Sequence, residues 1–217
     1  MVVPRASLQI ENGAAWTSDH GSHSVDLSET LIRLGILDKT ELRLVVPTYF
    51  DSIGRTGLHS GFGDLAFGIK QQLGPLPGDV DLAVIVAVSV PTGQSGVTSG
   101  GYDPFIKFPW SKELKDGWSV GGQQSLFWNT DGHRRNGTWE STQYLEKQIV
   151  KPLDVFTEYA GDYLQRGPSR QLLHFGAAYK ITPVNQIDFH FGFGLNQATP
   201  NHFFAVGYSF RLDRMWK

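Results

Sequence analysis

The sequence predicts an all-β chain folded as a single antiparallel, up-and-down transmembrane β-barrel of about twelve strands over residues 1–217. Three observations lead there. Apolar residues recur with period two over most of the chain. The alternating segments run for roughly 9–14 residues, against roughly 5–6 for an ordinary soluble strand and roughly 9–11 tilted residues for a strand that crosses a bilayer. The connections between segments alternate between short and long, as in barrels with tight turns at one end and loops at the other.

The elements follow in order. Weaker alternation marks strands near 7–16, 24–37 and 41–51. In the next segment Leu65, Phe67, Ile69 and Leu73 oppose Asp64, Ala66, Gly68, Lys70 and Gln72. Val80, Leu82, Val84, Val86, Val88 and Val90 then oppose Asp81, Ala83, Ile85, Ala87 and Ser89. A weak strand near 102–110 leads to a segment in which Trp118, Val120, Leu126 and Trp128 oppose Ser119, Gly121, Gln123 and Ser125, with Phe127 out of step. Strands near 138–149 and 153–163 precede Leu173, Phe175, Ala177, Tyr179 and Ile181, which oppose Leu172, His174, Gly176, Ala178 and Lys180. The clearest case is 187–196, where Ile187, Phe189, Phe191, Phe193 and Leu195 share one face and Asp188, His190, Gly192, Gly194 and Asn196 the other. Phe204, Val206, Tyr208, Phe210 and Leu212 repeat the pattern against Ala205, Gly207, Ser209 and Arg211. The short connections are 37–40, 73–79, 111–117, 150–152 and 182–185; the longer ones are 17–23, 51–60, 91–103, 129–137 and 163–169.

Composition narrows the class. The 19 Lys+Arg against 21 Asp+Glu give a net charge of −2, without the basic excess of a nucleic-acid binder. With 40% hydrophobic and 18% charged residues the chain can build a core and is not disordered. The absence of cysteine excludes disulfides, thiolate metal sites and a cysteine nucleophile. The longest apolar run, Leu82 to Val88, is far short of the roughly 20 residues of a membrane helix.

A soluble β-sandwich also alternates, but its outward face carries charges. Here the polar face is rich in Gly, Ala and Ser with sparse charges of both signs, which suits a narrow barrel interior. The apolar face bears Trp118, Trp128, Phe204 and Tyr208 near strand ends, where aromatic rings favour the membrane interface. Hydrocarbon forbids an open sheet edge, so the first and last strands, near Ser7 and Phe204, are expected to pair. The alternative is a soluble lipocalin-like barrel, with Phe189, Phe191 and Phe193 lining a ligand cavity and Arg211, Lys180 and Asp188 outside. A third reading is a sealed structural barrel in the outer membrane.

Several segments carry a family likeness: Glu29-Thr30-Leu31-Ile32-Arg33-Leu34-Gly35-Ile36 with Glu41-Leu42-Arg43-Leu44, then Gly61-Phe62-Gly63-Asp64-Leu65 with Gly68-Ile69-Lys70, then Ser89-Val90-Pro91-Thr92-Gly93, and Gly207-Tyr208-Ser209-Phe210-Arg211. In order and spacing the chain resembles the family "Putative MetA-pathway of phenol degradation", predicted outer-membrane barrel transporters. The resemblance implies an outer-membrane location in a Gram-negative-type bacterium, lipid and the barrel-insertion machinery as partners, and passage of small, aromatic or hydrophobic, organic molecules. Such a protein needs a leader. Met1-Val2-Val3-Pro4-Arg5 has no apolar core of leader length, so the true start is expected upstream, or the leader already removed. Barrels of this kind commonly end on an aromatic residue; here Asp213-Arg214-Met215-Trp216-Lys217 follows the last strand.

Alternation places Glu29, Arg33, Glu41, Arg43, Asp64, Lys70, Asp81, Asp154, Glu158, Lys180, Asp188, His190 and Arg211 on the lumen face, as a candidate substrate path. An unpaired buried charge is costly, so these groups are expected to pair or stay hydrated. Glu29, Arg33, Glu41 and Arg43 flank the Asp38-Lys39 turn and should form a Glu–Arg ladder. His20 and His23 share a loop, and His59, His133 and His202 lie in or near others, without a metal-ligand spacing. No cofactor is expected. No Gly-x-Ser-x-Gly elbow or lipid-facing Ser–His pair is found, so no catalytic residue is assigned.

Overall fold

A computed structural model describes residues 2–54 and 57–216. It is a closed antiparallel barrel of twelve strands. Nine are continuous: β1 Leu8–Asp19, β5 Asp81–Val90, β6 Asp103–Glu113, β7 Trp118–Asp131, β8 Arg134–Val150, β9 Leu153–Leu164, β10 Arg170–Thr182, β11 Asn185–Gly194 and β12 His202–Leu212. Three are broken in two: β2 (Ser22–Leu27 and Leu31–Leu37), β3 (Thr40–Val45 and Tyr49–Gly54) and β4 (Gly57–Phe62 and Leu65–Gln72). Each strand pairs with its sequence neighbours, and β1 closes the ring on β12 from Leu8 opposite Leu212 to Ser18 opposite His202.

The three breaks are adjacent and form one crease. Between Glu11 opposite Leu31 and Ala14 opposite Leu27, the two residues Asn12 and Gly13 face three, Ser28 to Thr30. That is a bulge of one residue, with Ser28 in the left-handed region at φ 59°. An extra residue exchanges the faces of everything beyond it. The break continues through Val46-Pro47-Thr48, where proline has no N–H to give to a ladder, and through Gly63-Asp64. As a result Asp26 and Phe50 share the lumen face with Arg33 and Arg43, although their positions differ in parity. Leu31 and Val45, below the crease, turn inward by plain alternation with Arg33 and Arg43.

Past the crease, the upper half of β4 pairs with β3 alone. Its other edge is met by the 91–102 connection. Gln94 N–H donates to Phe62 O at 2.9 Å, and Phe62 N–H donates to Gln94 Oε1 at 3.1 Å. The connection is anchored by Asp64, whose Oδ1 accepts the N–H groups of Thr92 (3.0 Å) and Gly93 (2.8 Å). The Gly-Phe-Gly-Asp and Pro-Thr-Gly segments thus meet in one latch.

Two of the longer connections expected from sequence are tight turns on lengthened strands. His20 and Gly21, with φ 46° and 90°, join β1 to β2 in a two-residue hairpin. Gly132-His133 joins β7 to β8, leaving β8 17 residues long. Extended ladders there satisfy more backbone than open loops would. The connection at 55–56 and the side chain of His59 lie outside the described residues.

Burial is inverted relative to a water-soluble domain. Among the described residues the buried apolar side chains are Val3, Ala6, Ala66, Ala83 and Ile85, whereas Glu41, Lys70, Asp154 and Ser125 are buried too. Val86 is 52% exposed and Phe189, Phe191 and Phe193 between 41% and 45%, in register as one outward belt with Phe175. Trp16, Trp128 and Trp139 sit on the outward face toward the loop end, and Trp118 and Tyr208 toward the turn end. Lys147 lies outward at the turn end, its ammonium 5.0 Å from the Trp118 ring centroid, where a snorkelling lysine belongs. Lys180 and Asp188 face inward, which overturns the soluble alternative: a soluble barrel would need them outside.

Two outcomes follow. Val86→Arg, at mid-strand on the belt, is expected to destabilise the micelle-folded barrel by about 2–4 kcal/mol, read from urea unfolding monitored by heat-modifiable gel mobility. Asp64→Ala removes two charge-assisted hydrogen bonds, locally about 1–3 kcal/mol. Limited proteolysis is expected to cut within 91–102 faster while the barrel keeps its folded mobility.

Candidate functional site

The lumen is lined by charges of both signs. On the β1–β6 side, Glu41 is fully buried and stands at the centre of a network. Arg33 donates from Nε to Glu41 Oε1 and from Nη2 to Oε2, both at 2.9 Å, and from Nη1 to Glu11 Oε1 at 2.7 Å. Arg43 donates from Nη1 to Glu41 Oε1 at 2.7 Å. The register makes this possible by setting Arg33 opposite Arg43, Gly35 opposite Glu41 and Glu41 opposite Lys70. The ladder expected from sequence exists with Glu11 in it; Glu29 is elsewhere, because the bulge carries it toward Gly13.

The same carboxylate holds the N-terminal segment inside the turn-end mouth. Val3 N–H donates to Glu41 Oε2 at 2.7 Å, and Ala6 N–H to Gly35 O at 2.8 Å. Pro4 O passes so close over Gly35 that a Cβ there would collide with it. Val3 and Ser7 are each 2% exposed, and Ala6 is buried beside them, so this segment is packed into the interior.

The β7–β12 wall is mostly acidic. Glu158 pairs with His174 (3.0 Å), Asp188 with His190 (2.8 Å) and Asp154 with Lys180 (2.8 Å). Glu140 accepts from Ser125 Oγ at 2.9 Å. The His174 and His190 rings stack at 6.3 Å, with Phe156 edge-on to both. Gly207 faces Asp188, whose carboxylate occupies the space a Cβ would take.

Several cavities line the interior among the described residues, four of them of about 200 Å³ or more. One of about 480 Å³ touches Glu11, Glu29, His174, Asp188, His190 and Phe203. One of about 400 Å³ is lined by Lys70, Asp81, Tyr144 and Glu158. One of about 340 Å³, toward the loop end, touches Glu140, Asp162 and Arg170. The fourth, of about 200 Å³, lies beside Arg43 and Lys107.

Two residues assigned to the path belong to other structures. Asp64 fastens the 91–102 connection, since the crease removes it from the ladder. Arg211 faces inward but closes locally on Asp213, Nε to Oδ1 at 2.7 Å, and this bond holds the Asp213 carboxyl below its ordinary range. Sequence reading passed over Glu11, Lys107, Glu140, Phe156 and Phe203. Ile106 and Phe108 on the outward face of β6 carry the phase that puts Lys107 inside. The inward aromatics have no signal in alternation, because they occupy positions a polar-face rule gives to small residues.

Glu41 is the counter-charge of two guanidiniums. Glu41→Gln keeps its volume and removes the carboxylate that Arg33 and Arg43 share, leaving Glu11 on Arg33, at about 3–5 kcal/mol by the usual cost of breaking a buried pair. The expected result is a lower urea midpoint for the micelle-folded protein; an unchanged midpoint would show that Glu41 is not their main partner.

No curated protein matches the chain. Among solved structures it is similar to the COG4313 outer membrane channel from Pseudomonas putida F1, at 13% identity and TM-score 0.68 over 98% of this chain and 97% of that one. It is similar to the NanC porin at 11% identity and TM-score 0.64, covering 94% and 100%. The CymD monoaromatic hydrocarbon channel aligns at 9% identity and TM-score 0.55, covering 99% and 90%. At these identities the likeness is one of fold. The family model "Putative MetA-pathway of phenol degradation" matches residues 1–212, and the chain belongs to that family.

Proposed function

We propose that this protein is a narrow outer-membrane channel for small organic molecules, non-enzymatic, folded into the membrane by the barrel-insertion machinery. One observation carries the reading. A closed wall presents Val86, Phe189 and Phe191 outward and encloses Arg33, Glu41, Asp154, Lys180 and Asp188 beside cavities of hundreds of cubic ångströms. The outside is matched to hydrocarbon and the inside to a polar solute. Two structurally similar proteins are described as an outer membrane channel and a monoaromatic hydrocarbon channel, and the family description refers to phenol degradation.

The candidate path runs past Glu29, Arg33, Glu41, Arg43, Lys70, Asp81, Glu158, Lys180, Asp188 and His190. Cationic and acidic groups interleaved along the lumen set up local fields, which orient a dipolar solute. A twelve-strand barrel is much narrower than the 16–18-stranded porins that leave an open aqueous channel, and the packed N-terminal segment narrows the turn end further. Passage is therefore restricted to molecules about the size of one ring.

Liposome swelling with the refolded full chain tests this. Phenol, benzyl alcohol and benzoate are expected to enter faster than through protein-free vesicles, and a disaccharide no faster. Equal rates with and without the protein for every solute would overturn the channel reading.

A further inference from the structure

The 200 Å³ cavity departs from the polar-inside rule. Its lining includes Leu31, Val45, Ala66, Ile85, Ala87 and Phe105, all turned inward. Alternation accounts for all of them, Leu31 and Val45 being in phase with Arg33 and Arg43. Ala66 and Ile85 are among the few buried apolar side chains of the barrel. Two cations, Arg43 and Lys107, line the same cavity.

Among the described residues the lining of this cavity holds these two cations and no carboxylate. Glu41 is already shared by Arg33, Arg43 and the Val3 amide. The Lys107 ammonium lies 5.4 Å and 5.0 Å from the centroids of Phe105 and Phe127, and among the described residues no carboxylate is within ion-pair distance of it. Glu140, two strands along the wall on β8, accepts from Ser125 and Gln123.

Resting on the channel reading, we infer that this cavity is a subsite for a small aromatic monocarboxylate. The ring lies against the apolar lining and the carboxylate is met by Lys107 and Arg43. Size permits it: an apolar cavity of about 150 Å³ accepts benzene, so 200 Å³ holds a ring with a carboxylate directed at the cations. The chemistry favours an anion. A neutral ring would put no anion beside the two lining cations, and acetate would leave the apolar lining unfilled. A charge-assisted hydrogen bond to lysine adds selectivity over a neutral ring.

The test is equilibrium binding of benzoate to the micelle-folded full chain by titration calorimetry, with benzyl alcohol and acetate as the uncharged and ringless controls. Benzoate is expected to bind about tenfold tighter than either. Lys107→Met should weaken benzoate about tenfold and leave benzyl alcohol unchanged, whereas Ala87→Leu should weaken both ring compounds by filling the cavity. Heat-modifiable mobility verifies that each variant is folded. Benzoate binding no better than acetate, or unaffected by Lys107→Met, overturns the subsite. Because binding is read without a bilayer, tight benzoate binding with no liposome swelling overturns the channel reading and leaves the subsite standing. Swelling without benzoate preference does the reverse.

Discussion

Everything in this barrel depends on the pairing of β1 with β12. Inside hydrocarbon an unpaired N–H or C=O costs several kcal/mol, so a sheet can cross only if it has no edge. Leu8 to Ser18 against Leu212 to His202 removes the last edge. Closure then dictates an outside and an inside, and the outside must match lipid. The apolar residues that would form the core of a soluble sandwich become the belt of Val86, Phe175, Phe189 and Phe191. The polar residues are confined to an interior too narrow to hydrate each of them freely.

That confinement explains the pairing seen within. Glu158 with His174, Asp188 with His190, Asp154 with Lys180 and Glu41 with two arginines are the means by which charges tolerate a closed space. This arrangement neutralises the interior locally. The N-terminal segment joins this economy, since Glu41 accepts its Val3 amide as well.

The crease through β2, β3 and β4 is the one place where the ladder departs from regularity. It turns Phe50 into the lumen, and it leaves an edge that the 91–102 connection must cover. Four of the segments that carry the family likeness have structural duties here: Glu41 and Arg33 in the network, Asp64 and Thr92-Gly93 in the latch, and Gly207 making room for Asp188.

The sequence by itself determined the strand number, the closure and the membrane-facing rows, because period-two alternation over 187–196 or 80–90 is a one-dimensional record of two faces. It also placed Arg33, Arg43, Lys180, Asp188 and His190 inside, since each sits on a regular strand. Tertiary structure decided what crosses strands. The bulge at Ser28 resets the faces of its neighbours, and no local pattern in β3 or β4 announces it. Which carboxylate meets which cation depends on register, so Glu11 displaced Glu29 as the partner of Arg33. Asp64 left the path because its strand breaks beside it. The apolar, cation-lined cavity exists only because five different strands bring their inward positions to one spot.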